Sequence, residues 1–222
     1  MSRMVWLSFP LDVQGPRPPA IPEPSLEPLY TIDRDQASVQ TLRVASHTGT
    51  HVDAPAHVVR GGLTLEDFEP EDFVYICPVV VDLSLPPRSV LMPEHIEPLG
   101  AAIGQADLLL LRFGYGELRR EEPDRYCTDC PGLGVEAATR IRRSAPQLRC
   151  LGLDVPSLAC IASLDATMAS HNELLKGQGR RFLVIEDMNL EEDLSRLSEV
   201  RLSPWLVHGM DSGPCSVVGV LD

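Results

Sequence analysis

Apolar residues in this chain gather in short dense runs rather than at helical spacing. Tyr75-Ile-Cys-Pro-Val-Val-Val-Asp-Leu83 is rich in β-branched residues and predicts a buried strand with a break near Pro78, which cannot donate to a ladder. Asp107 to Phe113, with four consecutive leucines, predicts a second core strand. Leu148 to Val155 predicts a third, entering a turn at Pro156, and Phe182 to Ile185 a fourth. Val39 to Ala45 alternates as a strand should, and Trp205 to His208 and Ser216 to Val220 supply the last ones. Helical signals are fewer. Val135 to Arg143 is amphipathic, with basic residues near its end that suit the helix dipole. Pro93 to Gly100 predicts a short helix, and Met168 to Lys176 another, with Gly177 as its C-cap. Strands dominate, with a few helices between them.

Residues 10–28 hold seven prolines, which excludes a regular helix or a central strand. They predict an ordered arm running extended over the surface. Nothing else divides the 222 residues, so one domain with a sizeable core is expected. A net charge of −13 and a pI near 4.8 exclude nucleic acid and anionic membrane as partners, since both are polyanions. No apolar run approaches the roughly 20 residues of a membrane span. The start, Met-Ser-Arg-Met-Val-Trp-Leu-Ser-Phe-Pro, lacks the long apolar stretch of a secretory signal, so a cytoplasmic location is expected. Six cysteines are too few for a disulfide scaffold at this length. Cys127-Thr-Asp-Cys130 has the spacing of half a zinc ribbon, but no second pair follows it.

One segment changes the picture. His47-Thr-Gly-Thr-His51-Val-Asp53-Ala-Pro-Ala-His57 places three of the six histidines and one carboxylate within eleven residues. Imidazole nitrogen and carboxylate oxygen are donors that zinc, manganese and iron accept. On a helix His47 and His51 would lie together, but Asp53 and His57 would point elsewhere. All four share one parity, as on one face of a strand, yet a straight strand would separate His47 from His57 by roughly 33 Å. The segment must therefore curl, with Gly49 permitting one bend and Pro55 fixing another. A curled loop with four donor side chains reads as a metal cradle.

The string Ser46-His-Thr-Gly-Thr-His-Val-Asp-Ala-Pro-Ala-His57 resembles the signature of the cyclase family of metal-dependent hydrolases, which includes bacterial kynurenine formamidases and isatin hydrolases. Looser likeness continues through Asp82-Leu-Ser84, Pro131-Gly-Leu133, Gly152-Leu-Asp-Val-Pro-Ser157, and His171 followed by Leu174-Leu175. The resemblance implies an α/β, swivelling β/β/α fold with a sheet-rich core. It implies that His47, His51, Asp53 and Glu186 hold a first metal, and that Asp53 and Glu186 bridge to a second held also by His171. It makes His57 a proton shuttle, the ion zinc (one or two) with manganese as the alternative, and the substrate a small amide, as in an arylformamidase. Ring opening of a cyclic amide or lactone, or metal binding without turnover, are the rival readings.

The chain departs from the pattern in two places. Formamidases pair two histidines where this chain has His171-Asn172. The turn from His171 to Glu186 is also about three residues longer, an insertion that glycine-rich Gly177-Gln-Gly-Arg180 should absorb cheaply. The longer turn leaves Asp187 as a rival ligand, because a slip of one residue exchanges the faces of a strand. His95 reads as a solvated histidine, His208 stays undecided, and Asp154 and Ser157 read as structural. Formamidases hold their aromatic substrate against a tryptophan in the N-terminal arm, whereas this arm has only Tyr30. Related enzymes complete their pockets from a second subunit, so a homo-oligomer, at least a dimer, is expected.

Overall fold

In the computed structural model, which describes residues 2–176 and 181–222, thirteen strands are present among the described residues. They are β1 (Arg3–Trp6), β2 (Ser25–Tyr30), β3 (Val39–Arg43), β4 (His51–Asp53), β5 (Val74–Tyr75), β6 (Pro78–Asp82), β7 (Val90–Leu91), β8 (Leu108–Arg112), β9 (Gly132–Leu133), β10 (Cys150–Leu153), β11 (Leu183–Glu186), β12 (Leu197–Pro204) and β13 (Ser212–Leu221). The main sheet runs β5-β12-β13-β4-β11-β10-β8-β6, with β1 also paired to β13. Its β6-β8-β10-β11 part is parallel, and every pairing from β11 through β4 to β13, β12 and β5 is antiparallel.

Alternation along the parallel strands builds two cores. Leu109, Leu111, Leu151, Leu153 and Val184 face the layer of helices, among them Val135–Ser144 and Ala169–Leu175, which bury Ile141 and Leu174 against them. Leu108, Leu110, Cys150, Leu183 and Ile185 face the other way, where they meet Val5, Val200, Leu202 and Val217 of the antiparallel part. The antiparallel end therefore folds back over the parallel end, giving a nearly closed mixed sheet with helices on one side: the swivelling β/β/α architecture.

The predicted core strands all form, within a residue or three of the boundaries read from the sequence. The break near Pro78 falls between β5 and β6. Val79 and Val80 are only half-buried, however, because β6 is the sheet's edge, where proline is tolerated. Residues 205–208 form no strand: β12 ends at Pro204, and the chain turns through Gly209 at φ +76°. The expected helix at 93–100 divides into Pro93–Ile96 and Gly100–Ile103 around a 3-10 turn. The proline-rich arm is not uniformly extended. It turns at Asp12–Gly15 and Pro18–Ile21, and its end joins β2. β3 forms as expected but pairs with β2 in a separate two-stranded sheet, so residues 25–43 make an exposed hairpin rather than a strand of the core. Gly177, the expected cap, lies outside the described residues.

Candidate metal centre

β4 is three residues long and hydrogen-bonded on both edges, to β11 and to β13. Its alternation sends Val52 into the second core and turns His51 and Asp53 to the helix side. Glu186, the last residue of β11, stands opposite His51 in the register and shares the helix-side parity of Val184. The helix Ala169–Leu175 lays His171 over the same spot. Four buried groups meet there: His51, Asp53, His171 and Glu186 are each no more than 3% exposed.

The two bends expected of the loop are present. Gly49 sits at φ +64°, and Pro55 opens a 3-10 turn, Pro55–His57, that brings His57 back. The imidazoles of His47 and His57 stand 4.4 Å apart, and those of His57 and His171 5.6 Å. His47 Nδ1 lies 3.2 Å from Asp53 Oδ1, His51 Nε2 3.1 Å from Glu186 Oε2, and His171 Nε2 3.1 Å from Glu186 Oε1 and 3.8 Å from Asp53 Oδ2. Two groups of three donors result, His47–Asp53–His57 and His51–Asp53–Glu186, with Asp53 common to both. His57 thus sits among possible ligands as well as at the rim, where its side chain and that of His47 are about a quarter exposed.

Neighbouring groups aim these donors. His51 Nδ1 faces the Gly49 carbonyl oxygen at 2.8 Å, so a proton on Nδ1 leaves Nε2 directed at the carboxylates. The Leu158 amide donates to Glu186 Oε1 at 2.6 Å. Burial would lower the His51 pKa, but its bond to Glu186 and the charges of Asp53 and Glu186 prevail and raise it to about 9. Burial likewise opposes, and Glu186 overcomes, in raising His171. Burial would raise Glu186, yet the two imidazoles hold it well below the usual carboxylate range. For His57 burial prevails over the attraction of Asp53, and its pKa is lowered.

Asp53 is fully buried, and neither of its oxygens has a hydrogen-bond partner. A carboxylate in that state is costly unless a cation meets it. A donor set of imidazoles and carboxylates converging on such an anion fits a divalent metal ion.

Asp187 does not join the cluster. At φ +53° it turns away from Glu186, and its carboxylate is bound by Arg119 at 2.8 Å on each oxygen. His208 is exposed and pairs with Glu66 at 2.8 Å. His95 is half-buried rather than solvated, since its Nδ1 accepts the Met92 amide at the start of its own helix. Asp154, buried and pushed up to about 6 by that burial against the pull of the Phe113 and Gly114 amides, ties two loops together. Two neighbours of the cluster were not anticipated: Ser212 Oγ, 3.1 Å from His47 Nε2, and Asp211 Oδ2, 3.7 Å from His57 Nδ1. They lie more than 150 residues from the loop they serve, and no local pattern marks them.

A nearly closed mixed sheet thus gathers histidines and carboxylates at the ends of its central strands. The chain belongs to the putative cyclase family, whose model matches residues 5–159. It is 32% identical over 143 residues to a kynurenine formamidase of Salinibacter ruber, a match spanning 64% of this chain and 62% of that protein. Isatin hydrolase A of Labrenzia aggregata, solved with benzyl benzoate bound, superposes with a TM-score of 0.80 at 20% identity, over 99% of this chain and 94% of that one. A potential metal-dependent hydrolase with cyclase activity gives a TM-score of 0.76 at 20% identity, over 100% and 99% of the two chains. Among the described residues no helix is long and apolar enough to cross a membrane.

Proposed function

We propose that this protein hydrolyses a small amide, an N-formyl aryl amine or a close analogue, at a divalent metal centre. The observation that carries the reading is Asp53, a buried carboxylate without a hydrogen bond, ringed by His47, His51 and His171. His47, His51, Asp53 and Glu186 would hold one ion, and Asp53 and Glu186 would share a second with His171. Zinc suits these donors best, with manganese as the alternative. Such an ion polarises the scissile carbonyl and lowers the pKa of water toward about 7. The protein groups do the rest. Gly49 and Leu158 fix the orientations of His51 and Glu186. His57, at the half-open rim with Asp211 behind Nδ1, carries a proton to the leaving nitrogen.

The formamidase relative supports the amide substrate. A second reading, ring opening of a cyclic amide, takes support from the fold shared with isatin hydrolase. Hydrolysis of a panel of N-formyl aryl amines, cyclic amides and lactones, with zinc or manganese added, separates the two. No turnover of any of them, with metal bound, would mark a binding protein instead.

The same reading includes a homo-oligomer and excludes nucleic acid and membrane as partners, in line with a net charge of −13. A lone two-stranded hairpin is marginal in water. This one leaves Leu26, Leu29, Tyr30, Ile32, Val39 and Leu42 exposed, so a second copy is the natural cover. Light scattering at micromolar concentration tests it: a 24.4 kDa species with full activity would show that one chain suffices.

A further inference from the structure

Behind the metal cluster lies a second buried polar network that the chemistry does not use. Asp187 directly follows Glu186, is 4% exposed, and adopts the left-handed conformation at φ +53°. Aspartate reaches that conformation more readily than most residues with side chains, and buried contacts can hold it there. Here they do so from every side. The Asp187 amide donates to the Val155 carbonyl at 2.8 Å, and its carbonyl accepts the Thr50 hydroxyl at 2.5 Å. Its carboxylate takes the Arg119 fork at 2.8 Å on each oxygen and the Tyr126 hydroxyl at 2.6 Å. The Arg119 guanidinium carbon lies over the Phe9 ring, 3.7 Å from its centre, and the Phe9 amide donates to Thr50 Oγ1 at 3.0 Å. Thr50 immediately precedes His51. One buried node thus ties the residue after Glu186 to the residue before His51.

Apolar residues of equal volume often replace a buried ion pair without loss of stability, so such a pair is poor material for holding a fold together. It is good material for fixing one geometry, because the guanidinium fork and the carboxylate meet in a single plane. We propose that Arg119, Asp187 and Tyr126 are positioning residues of the metal centre. They lock the left-handed turn that ends β11, and through it they hold the Glu186 carboxylate between His51 and His171. This rests on the metal-centre reading above.

The test is zinc affinity, measured on the metal-free full-length protein by competition with a chromophoric chelator, beside the thermal midpoint of each metal-free variant. Partners of this kind are worth about 10–100-fold in metal affinity. Asp187→Asn should weaken zinc binding by about tenfold or more. Arg119→Lys keeps the charge but loses the fork and should fall between Asp187→Asn and the parent, as should Tyr126→Phe, which deletes one hydrogen bond. Val200→Ala, a truncation in the second core away from the cluster, should lower the midpoint yet bind zinc as the parent does. The proposal is overturned if Tyr126→Phe and Arg119→Lys bind like the parent, or if Val200→Ala loses as much affinity as they do. Should Asp187→Asn fail to fold, those two variants decide. A parent that binds no zinc removes the metal-centre reading itself, which is a different result from a parent that binds and variants that match it.

Discussion

Metal and protons compete for His51, and the competition has a calculable size. The imidazole is held at about 9 by Glu186 and Asp53, so the metal-free protein carries its proton at pH 7. A metal ion accepts only the neutral ring, and the proton must leave. At pH 7 that costs about 2.7 kcal/mol, so the apparent zinc affinity should rise about tenfold from pH 7 to pH 8 and about fiftyfold by pH 9, where half the rings are already neutral. His171 is raised as well, which steepens the slope wherever both rings are charged. Stability of the metal-free protein should run the opposite way. A ring whose pKa rises from 6.5 unfolded to about 9 folded contributes stability that is complete below pH 6.5 and is lost as pH climbs through 9. The amount is about 3 kcal/mol, and the matching depression of Glu186 is the same interaction, counted once. Chelator competition at pH 7, 8 and 9, corrected for chelator protonation, gives the first trend, and urea unfolding of the metal-free protein gives the second. Zinc binding independent of pH across this window, or metal-free stability that rises with pH, would refute the reasoning.

Protein purified without chelator should contain about one to two equivalents of zinc or manganese by elemental analysis. His57→Ala should keep its metal and lose about 10²–10⁴ of activity, whereas His51→Ala should lose the metal; equal metal loss in both would make His57 a ligand. Leu151→Ala, which empties a fully buried site between the sheet and the helices, should cost about 2–5 kcal/mol in urea unfolding. Leu29→Glu in the exposed hairpin should shift light scattering toward the 24.4 kDa monomer and lower the midpoint of the thermal transition, since association no longer adds to stability.

Much of this centre could be read in the chain because its signals are local. His47 to His57 lie in one curl, and the parity of His51 and Asp53 against Val52 is the alternation of a strand. Glu186 ends a plain apolar run, and the choice between it and Asp187 turned on a backbone angle that no pattern encodes. Ser212 and Asp211 reach the cluster, and Arg119 and Tyr126 the neighbouring Asp187, through long-range packing that no local pattern marks. β12 carries no clear strand pattern because a bulge between Leu197 and Glu199 breaks its alternation. The helices Gly116–Glu121 and Pro123–Asp129 carry so many charges that no apolar periodicity marks them. The hairpin strand was legible, but its partner was not, since pairing depends on where the prolines turn the arm.

β4 is the middle of the sheet, and opening it requires rupturing two ladders at once. Its amides should be among the last in the molecule to exchange with deuterium, which keeps His51 and Asp53 in place whether or not an ion is present. His47 and His57 ride instead on a loop and a single 3-10 turn, and both side chains are partly exposed. The centre therefore has one wall of strand and one of loop and turn. On the proposed reading an ion would reach the buried donors from the loop side, so its exchange rate should respond to substitutions in that loop more than to those in β4.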